Sequence, residues 1–139
     1  MATESSAGLP IIAVCGATGN QGGSVVKALL ATKKYRVRAL TRKPDGEKTK
    51  SLRDIGCEVI KIDFDQSIEE MKSSFVGCQG AFLVTNFTEH LNIEKEIAQG
   101  LALAKVTKET VGMKHVIWST LEDTQAFKEF SAKYNVEFF

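Results

Sequence analysis

The chain has 139 residues, 43% of them hydrophobic and 25% charged, with 18 Lys and Arg against 17 Asp and Glu for a formal charge of +1. That length fits one domain able to bury about two-thirds of its unfolded surface, and the balanced charge argues against direct, electrostatically driven nucleic-acid binding. No apolar stretch approaches the length of a bilayer span, so membrane insertion is not expected either.

Residues 1–8 are small and polar, without the basic start or apolar core of a signal peptide. They are expected to be a disordered leader to a domain over 9–139. The first strand is expected at Pro10–Cys15, followed by Gly16-Ala17-Thr18-Gly19-Asn20-Gln21-Gly22 and a helix from Ser24 to Leu30. Val25 with Leu29, and Val26 with Leu30, give that helix an apolar face. A second strand at Arg36–Thr41 leads to a helix at Glu47–Ile55 that Gly56 stops. Glu58–Ile62 is the third strand. The helix after it, Ser67–Phe75, has Asp65 or Ser67 as its cap and Gly77 past its end. The fourth strand is placed at Gly80–Thr85. One long helix then runs from about Glu89 to Thr110, with Ile93, Ile97, Leu101 and Ala104 on its apolar side and Gly112 closing it. Lys114–Ser119 is the fifth strand.

Strands alternating with helices, each strand rich in Val, Ile, Leu and Phe, predict an α/β fold: a Rossmann-like, doubly wound parallel sheet in the order 3-2-1-4-5. Thr124–Tyr134 can form an amphipathic turn or two through Phe127, Phe130 and Tyr134, with Lys128 and Lys133 on the solvated side. Val136-Glu137-Phe138-Phe139 then ends the chain without a cap. A doubly wound dinucleotide domain usually continues with a sixth strand, so the domain is expected to be truncated before its remaining strands. The fifth strand would then expose an edge bearing Val116, Ile117 and Trp118, and self-association through it is expected.

The three cysteines form no pairing pattern: Cys15 lies in the first strand, Cys57 begins another and Cys78 falls in a turn. They are expected to be reduced packing residues in a cytosolic protein rather than redox centres. His90, taken as a surface residue, and His115, taken as a strand residue, have no companions at metal-ligand spacing, so no metal is expected.

The glycine turn carries the chemistry. Gly16 allows the tight turn off the strand, Gly19 lets backbone approach a pyrophosphate, and Gly22 lets the helix pack closely on the sheet. The helix start adds free N–H groups and a positive dipole end, and Thr18, Asn20 and Gln21 surround the same place. At the end of the second strand an acidic residue would bind the ribose hydroxyl of NAD. Here the strand ends Thr41-Arg42-Lys43 with no carboxylate until Asp45. Arg42 can grip a 2′-phosphate bidentately and Thr41 can donate to it, which favours NADP(H) over NAD(H). The competing account makes Arg42 and Lys43 solvated loop charges.

Gly16-Ala-Thr-Gly19-Asn-Gln-Gly22-Gly23-Ser24-Val25, Arg36-Val37-Arg38-Ala39-Leu40-Thr41-Arg42-Lys43-Pro44, Val84-Thr85-Asn86-Phe87 and Val116-Ile117-Trp118-Ser119 together resemble the NmrA-like branch of the atypical short-chain dehydrogenase/reductases. The similarity runs from about Leu9 to Phe139 and is strongest to the NADP(H)-sensing members, in which it corresponds to the N-terminal, cofactor-binding part. The resemblance implies that Asp63 and Phe64 lie against the adenine, although Asp63 can equally be a loop residue or helix cap. It also implies that Thr85 and Asn86 approach the nicotinamide-side ribose, with turn formation as the other account of Asn86.

Short-chain reductases use a tyrosine with a lysine four residues on. Here Tyr134 is followed at that distance by Phe138. Reductases of the NmrA-like group use a lysine early in the next helix, which the resemblance puts past Phe139. Ser119 is accordingly taken as a strand-end hydrogen-bonder or helix cap, and no catalytic residue is assigned. The resemblance thus implies a redox-sensing regulatory module, cytoplasmic and also nuclear, with a regulatory protein as partner. The alternative is a truncated NADPH-dependent reductase of the isoflavone/phenylcoumaran type.

Overall fold

The structure, a computed structural model, describes residues 8–121. Residues 1–7 of the expected leader and the expected segments at Thr124–Tyr134 and Val136–Phe139 lie outside the described residues. Five parallel strands, β1 (Ile11–Cys15), β2 (Arg36–Thr41), β3 (Glu58–Lys61), β4 (Cys78–Leu83) and β5 (His115–Trp118), form one sheet in the order β3-β2-β1-β4-β5. The predicted order holds. Five helices connect them: α1 (Asn20–Ala31), α2 (Glu47–Asp54), α3 (Ile68–Phe75), α4 (Phe87–His90) and α5 (Ile93–Glu109).

The central strands are covered on both faces, which is why β1 and most of β4 are apolar. On one face Val14, Val37, Ala39 and Phe82 pack with Val26 of α1 and Leu52 of α2. On the other, Ala13, Cys15, Leu40 and Leu83 pack with Met71 and Phe75 of α3 and with Leu103 and Val106 of α5. The α3 start combines local and packing signals. Ser67 accepts from the Glu70 backbone N–H while the Glu70 carboxylate accepts from the Ser67 N–H, a reciprocal capping box. Arg38 in mid-β2 then fastens the far end of α3. Its guanidinium donates to the carbonyls of Ser74 (3.0 Å) and Val76 (2.7 Å), and to Glu58 of β3 (2.9 Å).

Three expectations are corrected. The fourth strand starts at Cys78 rather than Gly80, pairing in parallel with β1 from Ile11 onward, so Cys78 is a buried strand residue and not part of a turn. The long helix is broken: Leu91 adopts φ 51° and Asn92 caps a new helix by accepting from the Lys95 N–H at 2.8 Å. A local cap has overridden continuous periodicity. Finally, the apolar stripe Ile93, Ile97 and Leu101 faces outward, 46–67% exposed, while Gln99, Leu103, Val106 and Thr107 turn inward. Gln99 is accommodated there because its amide donates to Asp65 at 2.7 Å.

All three thiols are free and buried. Burial pushes Cys15 from its usual 9.0 up to about 12, opposed by a hydrogen bond with the Val84 backbone, and burial raises Cys57 and Cys78 as well. The thiolate is the nucleophile, so iodoacetamide at pH 8 is expected to leave the folded chain unlabelled and to alkylate all three cysteines in urea. Rapid labelling of the folded chain would contradict this. The same shift has a linkage consequence. The unfolded thiol ionises near 9.0 while folded Cys15 holds its proton to about 12. The stability it contributes is therefore complete below the first value and is lost as pH rises toward the second. Among the described residues no helix is long and apolar enough to cross a membrane, and no group of His, Cys, Asp and Glu could hold a metal ion.

Candidate functional site

The parallel sheet aims every strand end toward the same side, and a crevice of about 570 Å³ opens there. Its floor is the turn between β1 and α1. Gly16 takes φ +63°, reversing the chain off the strand. Gly19 then caps α1 with its N–H bonded to the Gly16 carbonyl at 2.9 Å. Because Gly19 has no side chain, none covers the first N–H groups of α1, and the first turn holds no acidic residue. The result is a positive helix end open to an anion. Gly22 fixes its position: a Cβ there would stand 2.3 Å from the Gly16 carbonyl oxygen and 2.8 Å from that of Cys15.

The crevice gathers Gly16, Thr18, Gly19, Asn20, Gln21 and Gly22 from this turn, Thr41, Arg42 and Lys43 from the end of β2, Phe64 after β3, and Thr85 and Asn86 after β4. Asp63 is the one predicted site residue outside the lining. Its carboxylate accepts from the Asp65 N–H at 3.1 Å and shapes the loop, the competing account of this residue. At the end of β2, the Thr41 hydroxyl accepts from the Lys43 N–H at 3.2 Å. The Arg42 guanidinium sits 2.5 Å from the Glu89 carboxylate of α4. That pairing raises Arg42 and lowers Glu89 relative to their usual values, chiefly through the hydrogen bond between them.

Beyond β4, the Thr85 hydroxyl donates to Glu96 of α5. The Asn86 amide donates to Glu89 at 2.8 Å and its oxygen accepts from Thr88 at 3.0 Å. Asn86 thus organises the turn into α4 while lining the crevice. Ser119 donates to the Gln21 amide oxygen at 2.9 Å, linking the end of β5 to the glycine turn. His90 is not the surface residue expected from sequence. Its side chain is only 15% exposed, its Nδ1 accepts from the Asn92 N–H at 3.1 Å, and its Nε2 lies 3.6 Å from Glu96. The ring meets Phe87 edge-on. His115 does open β5, as expected.

Sequence reasoning missed the wall formed by Gly46, Glu47, Lys48 and Thr49. The signal was available: in a parallel sheet every following helix begins at the carboxyl edge, and α2 begins at Glu47. Thr49 is buried, with its hydroxyl 2.8 Å from the Pro44 carbonyl and 2.5 Å from that of Gly46, which holds the Lys43–Gly46 loop against the crevice. Leu40, Ile62 and Val84 supply an apolar lining beside it.

A profile of the NmrA-like family matches residues 10–138. The chain belongs to the NmrA-like family. An NmrA-like family domain-containing protein of Dictyostelium discoideum is 43% identical over 110 residues, covering 79% of this chain and 35% of that protein. The NmrA-like family domain-containing oxidoreductase notA of an Aspergillus species is 37% identical over 120 residues, covering 84% and 35%. Among solved structures, NmrA, a negative transcriptional regulator, superposes with a TM-score of 0.74 at 26% identity, covering 87% of this chain and 36% of its own. NmrA has been solved in complex with NAD and with NADP, and those structures match at TM-scores of 0.73 and 0.71, both at 27% identity. Each covers 86% of this chain and 36% of that one. The chain therefore spans about a third of the length of the NmrA-like relatives it matches.

Proposed function

We propose that this chain is an NADP(H)-binding NmrA-like domain that acts as a redox-sensing regulatory module without catalysis of its own. One observation carries the reading: the uncapped start of α1, with no acidic residue in its first turn, shares a crevice with Arg42 and Lys43 at the end of β2. The first feature suits a pyrophosphate and the second a ribose 2′-phosphate. Supporting it, NmrA accepts NAD and NADP in its solved complexes. In this reading Phe64 borders the adenine, and Thr85 and Asn86 border the nicotinamide-side ribose. The module works in the cytoplasm and nucleus by presenting different surfaces to a regulatory protein.

A sensor must bind the two redox states unequally, since a ligand with equal affinity for two conformations shifts nothing. Titrating the chain with NADPH and with NADP⁺, alongside amide hydrogen exchange in each complex, tests this. Unequal affinities with different exchange around the crevice are expected. Equal affinities with identical exchange would contradict sensing. A second reading, an NADPH-dependent reductase, is favoured by the fungal relatives named as oxidoreductases. Steady consumption of NADPH by the chain with a carbonyl or enone acceptor would establish it.

We also propose self-association through β5. Among the described residues β4 is its only partner strand, and Val116 and Ile117 are 41% and 51% exposed. Sedimentation coefficients are expected to rise with protein concentration, and a single monomeric species at high concentration would contradict this.

A further inference from the structure

The reading of Arg42 as the 2′-phosphate ligand leaves one fact unexplained: the guanidinium already has an anion. Glu89 Oε2 lies 2.5 Å from Arg42 Nη2, and the same oxygen accepts from Asn86 at 2.8 Å. Arg42 follows β2 and Glu89 follows β4, the two strands that flank β1 and its glycine turn. Both of its partners, Arg42 and Asn86, line the crevice. The contact thus joins opposite lips of the crevice across 47 residues of sequence.

We infer that Glu89 is an internal competitor for Arg42, a carboxylate standing where a 2′-phosphate would bind, so that NADP(H) must displace it and free α4 whereas NAD(H) need not. The inference rests on the NADP(H) reading above and adds a specificity-determining residue to that site. Glu89 engages Arg42 through Nη2, the nitrogen common to both bidentate edges of the guanidinium, so a phosphate gripping either edge must contend with the carboxylate for it. Holding both would place a carboxylate and a phosphate within a few ångströms of each other, where like charges repel. Glu89 can yield because its helix is lightly held. α4 is four residues long, none of them buried, with no side-chain cap at its N-terminus and Leu91 at φ 51° ending it. Arg42 and Glu89 are 51% and 45% exposed, so the pair is screened and its competition modest. The arrangement sets the preference between the two cofactors below what Arg42 alone would give, and it couples 2′-phosphate binding to the position of α4.

The test is a calorimetric titration of the whole chain with NADPH and with NADH, in the parent, Glu89→Gln and Glu89→Ala. Glu69→Gln, which removes a charge from the exposed side of α3, serves as the control. Removing the competitor is expected to tighten NADPH by about two- to fivefold, the range an exposed ion pair spans, and to leave NADH and the control unchanged. Amide exchange of Leu91, whose N–H bonds to the Phe87 carbonyl, is expected to accelerate with NADPH and not with NADH. Unchanged or weaker NADPH binding in both Glu89 variants, or equal tightening of NADH, would overturn the inference while leaving the NADP(H) site standing. A folded parent that binds neither dinucleotide would overturn both.

Discussion

Replacing Gly22 with alanine is expected to destabilise the fold by about 3 kcal/mol or more and to abolish dinucleotide binding. The new Cβ would stand 2.3 Å from the Gly16 carbonyl oxygen, 2.6 Å from its carbon and 2.8 Å from the Cys15 oxygen. All three are backbone atoms of the strand and turn, so no side-chain rotation relieves the overlap. Either α1 lifts from the sheet or the turn deforms. Lifting α1 opens the packing of fully buried Val26 against Val14, Val37 and Ala39. Deforming the turn displaces the N–H groups that face the crevice. The two costs cannot both be avoided, which makes Gly22 the residue where stability and binding are inseparable. Urea unfolding and calorimetric titration of the variant check this together. A melting curve and an NADPH isotherm matching the parent would show that the close approach is not required.

Arg42→Ala is expected to separate the two functions that Gly22 joins. It should weaken NADPH by about tenfold or more, the worth of a hydrogen-bonded charged contact, while leaving NADH within about twofold. Folding should be nearly unaffected, because the residue is half exposed and its ion pair with Glu89 is an exposed one. Calorimetry with each cofactor reads the ratio directly. Parallel losses for both would mean that Arg42 shapes the crevice without reading the 2′ position, and the preference for NADP(H) would fall.

The features that sequence made legible are local ones. The glycine turn announces itself because each glycine answers a separate steric demand within seven residues, and two of those demands reappear as the positive φ of Gly16 and the blocked Cβ of Gly22. The strand order follows from alternation combined with right-handed crossovers and the dinucleotide-binding turn after the first strand. The capping box at Ser67 and Glu70 and the stop at Gly77, φ +77°, are likewise short-range chemistry. Failures arose where distant contacts decide. Ile93, Ile97 and Leu101 repeat at helical spacing as well as Leu103 and Val106 do, and only the docking of α5 on the sheet determines which set turns inward. The partial burial of His90 depends on Glu96, across the break at Leu91, and on Phe87, one turn earlier in α4. The Arg42–Glu89 pair spans 47 residues and the Ser119–Gln21 bond 98, so no window of sequence contains either. For the site itself, the glycine turn and the end of β2 marked nine of the positions that line the crevice, and the family resemblance added Phe64, Thr85 and Asn86. The α2 wall follows only once the carboxyl edge of the sheet is used to place the helix starts.

The most direct test of the account is a calorimetric titration of the purified 139-residue chain with NADPH and, separately, with NADH. Saturable binding of one NADPH per chain, with NADH clearly weaker, is the predicted result. Absence of binding to either by a chain shown to be folded would mean that the glycine turn serves only the architecture of the sheet, and would contradict the proposed function at its root.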